Sequence, residues 1–112
     1  MQHDRVRVLH MRDATRQALE FATGRSRADL DTDAMLMLAL TRLLEIIGEA
    51  AKNVSGPTRA LAPDLPWREI AGTRDRIAHG YFDINLDTVW DILTLDLPKL
   101  QRELDQLVVR VS

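Results

Sequence analysis

Over residues 33–54, Leu36, Leu40, Leu43, Ile47, Ala50 and Val54 recur at intervals of three and four, the period of one helix face. Met35, Leu38 and Ile46 carry the apolar surface well outside that stripe. A helix apolar over most of its circumference has to be covered, either by the rest of its own chain or by a second subunit. No part of the chain alternates with period two for long, so the fold class expected is all-α. With 112 residues there is enough chain for one core and not for two. The expectation is therefore a four-to-five-helix bundle forming a single domain over 1–112.

The flanking segments supply the other helices. A first helix is predicted from about Asp4 to Ala22, with Val8, Met11, Ala18 and Phe21 facing inward, and Gly24-Arg25-Ser26 ending it. Asp29, Asp31, Thr32 and Asp33 are side chains able to cap the second helix. Ser55-Gly56-Pro57 breaks that helix, and Pro63 and Pro66 bracket a loop. Pro66-Trp67-Arg68-Glu69 opens a third helix, read as continuous until Gly80. Asn85 or Asp87 caps the last helix, whose seam is Trp90, Leu93, Leu97, Leu100, Leu104, Leu107 and Val111. Pro98 lies inside it and should kink it, because the carbonyl of Thr94 loses its helical donor.

Composition narrows the function classes. The chain lacks cysteine, which excludes disulfides and thiolate metal sites. It has no apolar run long enough to span a bilayer and no signal-peptide core at its start, so a cytoplasmic protein without a membrane partner is expected. The net charge of −2 disfavours a broad, non-specific nucleic-acid binder. The charge is uneven, however. Residues 1–27 hold six arginines against three acids, a flank that can guide a polyanion, whereas residues 83–105 are acidic. His3 and His10 share a helix face but have no carboxylate at ligand spacing, so no metal is assigned and no cofactor is expected.

The chemistry concentrates in Arg74-Asp75-Arg76-Ile77-Ala78-His79-Gly80-Tyr81. Arginine is a permanent cation whose planar fork fits phosphate, and histidine can move protons near neutral pH. Such a pair suits RNA cleavage without a metal. His79 would act as general acid or base around the 2′-hydroxyl and the leaving oxygen, and Arg74 would stabilise the growing phosphate charge. On a continuous helix Asp75 and His79 share a face at i and i+4, so Asp75 is expected to orient the imidazole. Arg76 is expected to add a contact to the RNA backbone. Spacing alone is equally what a surface ion pair or a capping feature produces.

The wider sequence resembles the HEPN superfamily, small helical bundles in which an R-x4-6-H motif marks ribonucleases, and more closely its HepT-like toxin branch. Ile46-Ile47-Gly48-Glu49-Ala50-Ala51 matches that family's I-I-G-E-A segment, and Pro66-Trp67-Arg68-Glu69-Ile70 is similar to its P-W-x-x-I helix entry. Arg74 through Ile84 resembles its R-N-x-x-x-H-x-Y-F block, and Val89-Trp90 with Leu97-Pro98-Lys99-Leu100 fits its last helix.

The resemblance implies a HEPN-like bundle with a kinked last helix and an endoribonuclease toxin acting on tRNA or mRNA. Arg74 and His79 fall on the family's catalytic pair. Tyr81 falls on the tyrosine that a minimal nucleotidyltransferase antitoxin adenylylates. The family pattern also implies a homodimer whose two motif copies line one cleft, or a larger hetero-complex with the antitoxin. The usual residue after the arginine is asparagine or another polar group. Here it is Asp75, which can orient His79 but also repels phosphate. Glu49 is a second candidate near the site, with helix packing by Gly48 and an ion pair by Glu49 as the structural alternative. The competing functional class is a non-catalytic helical module that dimerises or docks a nucleotidyltransferase.

Overall fold

The computed structural model describes residues 2–78 and 83–111, and every described element of any length is a helix. Helix α1 (Gln2–Ala22) leads through the short α2 (Asp29–Thr32) to α3 (Ala34–Lys52), and α4 (Gly56–Arg59) follows. Next come α5 (Trp67–Ala71) and α6 (Thr73–Ile77), then α7 (Leu86–Asp91), a π-helical turn over Ile92–Asp96, and α8 (Leu97–Arg110). The all-α bundle expected from periodicity is what forms. Among the described residues no helix is long and apolar enough to cross a membrane.

Helix α3 sits at the centre, packed against α1, α2, α5, α6 and α7. The six positions of its predicted stripe are all buried. The Asp33 side chain caps it, accepting the Leu36 N–H at 3.0 Å. On α1, Val8, Met11 and Ala18 face the core as expected, but Phe21 does not. It lies in the last turn before the Gly24 exit, where φ is +74°, and remains exposed. Met35 and Leu38 are exposed as well, at 83% and 62%, so the chain leaves part of the broad apolar surface of α3 uncovered.

The last helix is interrupted ahead of Pro98, as the proline requires. A π turn has one residue more per turn, and the Leu97 N–H reaches back five residues to the Ile92 carbonyl. Pro98 then occupies the first turn of α8, where no N–H is needed. The extra residue shifts the helical phase upstream of it. Consequently Val89, not Trp90, is the fully buried residue of α7, while Leu93 to Val111 keep the predicted seam. Asn85 is the cap, accepting the Thr88 N–H at 3.1 Å.

A buried carboxylate ties the two ends of the α1–α3 pair. Asp4, 2% exposed, accepts the Ser55 N–H at 3.1 Å, the Thr58 hydroxyl at 2.7 Å and the Ser55 hydroxyl. The Ser55 hydroxyl, then the Thr58 hydroxyl, lower its pKa from 3.8 to about 2, against the opposing effect of burial. The ionised form therefore stabilises the fold above pH 4, and that contribution disappears as pH falls from about 4 through 2. Asp4→Ala should cost about 1–3 kcal/mol at neutral pH, because three donors lose a buried acceptor. The gap in melting temperature from wild type should close as pH approaches 2, and a gap independent of pH would assign the loss to packing.

Candidate active site

Helices α5 and α6 carry the arginine end of the motif, and the sequence seats them through Gly48. A Cβ at Gly48 would stand 3.1 Å from the Ile70 carbonyl oxygen and 3.2 Å from the Thr73 Cβ. Only a bare backbone lets the two segments approach this closely. Thr73 closes the contact by donating its hydroxyl to the Ile70 carbonyl at 2.6 Å. Upstream, the Trp67 indole N–H binds the Ala62 carbonyl at 2.9 Å, and the Arg59 guanidinium lies 5.6 Å above the ring. The arginine end of the motif is thus packed closely against α3.

The third helix is not continuous. It breaks at Gly72 between α5 and α6, and α6 ends at Ile77 with Ala78 extended (φ −71°, ψ 131°). The helical relation that would place Asp75 and His79 on one face does not reach residue 79, so that basis for the orienting role of Asp75 is withdrawn. His79, Gly80, Tyr81 and Phe82 lie outside the described residues. The described ends of that segment are joined. Ala78 and Ile84 form an antiparallel bridge, and the Asn85 N–H binds the Ile77 carbonyl at 2.7 Å.

Arg74 and Asp75 are exposed on α6 and make no ion pair among the described residues. Arg76, two residues on, is turned to another side. Its Nη2 lies 3.3 Å from Asp96 in the π turn, at the edge of a hollow of about 230 Å³ floored by Leu65, Ile70 and Leu100. All three charged positions of α6 are exposed, and of them Arg76 alone is ion-paired among the described residues.

Beyond the motif, Arg27 secures the chain just after it. Its Nε donates to Asp87 at 2.7 Å and its Nη1 lies 3.1 Å from Asp31, and these acids, Asp87 first, raise its pKa. Gly48 is a packing residue, the structural alternative at that position. Glu49 lies about 100° further round α3 and lines a different cleft, with Arg7, His10, Arg42, Ile46 and Asn53. Arg7 and Arg42 were not singled out from sequence. The available signal was the 4, 3, 4 spacing of Arg42, Ile46, Glu49 and Asn53 on one face of α3.

Comparison with known proteins converges on one family. The family described as "Ribonuclease HepT-like" matches residues 11–107. A protein of Caldanaerobacter subterraneus assigned as an RNase is 37% identical over 90 residues, 80% of each chain. One of Thermococcus cleftensis assigned as ribonuclease HepT is 38% identical over 79 residues, 70% of this chain and 72% of its own. A third, from Methanocaldococcus jannaschii and also assigned as an RNase, is 31% identical over 93 residues, 83% of this chain and 85% of its own. No solved structure gives a significant match. With an α-helical bundle that holds the motif arginine on an exposed helical segment, and a match across nearly its whole length, the chain belongs to the HepT-like ribonuclease family.

Proposed function

We propose that the protein is the toxin of a toxin–antitoxin pair, a metal-independent endoribonuclease that cuts tRNA or mRNA in the cytoplasm. The observation that carries the site assignment is Arg74: an exposed guanidinium, without an ion-pair partner among the described residues, on a segment fixed by Gly48. In this mechanism His79 removes the proton of a 2′-hydroxyl, and the 2′-oxygen attacks the adjacent phosphorus. The bond to the 5′-oxygen breaks and that oxygen takes up a proton, leaving a 2′,3′-cyclic phosphate and a 5′-hydroxyl. Arg74 holds the phosphate oxygens as their charge grows. Asp75 is a supporting acceptor next to Arg74. Arg76 supports the site by bracing α6 against Asp96.

The uncovered Met35 and Leu38 on α3 support a homodimer, since exposed apolar surface of this kind marks an interaction face. Tyr81 is the regulatory residue, adenylylated by a minimal nucleotidyltransferase antitoxin. Adenylate adds bulk and negative charge two residues from His79, which repels the substrate phosphate. The test uses purified protein on RNA in the presence of a chelator, before and after labelling of Tyr81 by the antitoxin and ATP. Cleavage should persist in chelator and stop on labelling. Unchanged cleavage after full labelling would sink the regulatory role, and cleavage lost in chelator would sink metal independence.

A further inference from the structure

Most of the arginines among the first 27 residues have partners within the chain. Arg5 donates to the carbonyls of Val108 and Val111, and Arg12, Arg16, Arg25 and Arg27 pair with Asp13, Asp105, Asp33 and Asp87. Arg7 makes no ion pair among the described residues, and neither does Arg42 on α3. These two guanidiniums line the same open cleft between α1 and α3, about 250 Å³, together with His10, Asn53 and Glu49. Two permanent cations face one carboxylate there, and Asn53 adds an amide donor. The amide also binds the Glu49 backbone carbonyl at 3.0 Å, which fixes its place at the cleft edge.

The cleft lies on the same helix as the seat of the motif. Helices α5 and α6 approach α3 at Gly48, and the cleft opens along the Arg42–Glu49–Asn53 line, about 100° round the helix. Arginine presents a fork matched to phosphate oxygens, and two such forks in one concavity suit consecutive phosphodiesters.

We infer that the Arg7–Arg42 cleft is a second RNA-backbone site, holding phosphates of the substrate strand away from the scissile bond. This inference rests on the ribonuclease reading of the chain. It gives a protein of net charge −2 a local cationic track, and it positions RNA without reading its sequence.

The test is binding of an uncleavable single-stranded 2′-O-methyl RNA of roughly 16 nucleotides to wild type and to the double variant Arg7→Gln/Arg42→Gln, across a salt series. The variant should bind on the order of tenfold more weakly. Its slope of log affinity against log salt should be shallower by about 1.4, near 0.7 for each of two phosphates. Melting temperature and the cleavage rate of a dinucleotide, too short to reach the cleft, should match wild type. Unchanged affinity and slope would overturn the inference and leave the cleft to an acidic protein surface. A variant that loses only a thermal shift induced by inorganic phosphate, with RNA affinity intact, would overturn it in favour of a small-anion site. Wild type that cleaves RNA indifferently to both arginines sinks the cleft alone. Wild type that neither binds nor cleaves RNA sinks the proposed function with it.

Discussion

Arg74→Ala should reduce RNA cleavage by about 10²–10³-fold, the loss typical of removing one preorganised donor to a developing oxyanion. His79→Ala should cost about 10²–10⁴-fold, the usual contribution of a positioned acid or base. Stability should barely move with Arg74→Ala, because the side chain is exposed and changes at such positions fall within about 0.5 kcal/mol. Arg74→Lys should recover part of the rate: it keeps the charge and loses the planar fork. If the two residues act on one phosphate, the double variant should be little worse than the weaker single, since residues working as a unit are far from additive. Single-turnover cleavage of a defined RNA measures all of this. Equal activity of wild type, Arg74→Ala and His79→Ala would mean that a contaminating nuclease does the cutting, and equal inertness of all three would leave a non-catalytic helical module.

The second large effect is expected at a residue with no side chain. Gly48→Val should destabilise the fold by about 1–3 kcal/mol, because its branches enter space held by the Ile70 carbonyl and Thr73. Cleavage should fall further than stability does. To admit the side chain, α5 and α6 must move outward with Arg74, and a misplacement of about 1 Å costs on the order of 10²-fold. Gly48→Ala separates the two effects. Alanine gains about 1 kcal/mol of helix propensity, yet its Cβ still needs the Ile70 carbonyl to yield a few tenths of an ångström. Near-normal melting with reduced cleavage is the expected pattern. A valine variant with wild-type melting and wild-type cleavage would sever the link between this contact and the site.

How far the sequence reveals these features depends on their range. The α3 stripe and the Asp33 and Asn85 caps are local, and each is found where period and cap chemistry put it. The break at Gly72 is hidden because Ile70, Thr73 and Ile77, all buried, keep a 3, 4 spacing across it. Periodicity reports which residues point inward, and a break that preserves this leaves no trace. The π turn is hidden differently: Pro98 announces a defect, but a phase change that brings in Val89 for Trp90 depends on how the backbone repairs it. Asp4 meets Ser55 and Thr58 from more than fifty positions away, and no local pattern encodes that. The six N-terminal arginines look like a basic flank until their partners are placed. Five then have partners within the chain, and the sixth, Arg7, lies with Arg42 in a cleft neither helix displays alone.

The pairing of Ala78 with Ile84, reinforced by the Asn85 N–H on the Ile77 carbonyl, holds the two described flanks of the motif segment side by side. A change at either flank is therefore felt by α6 and α7 together, because this pairing ties the end of one to the start of the other.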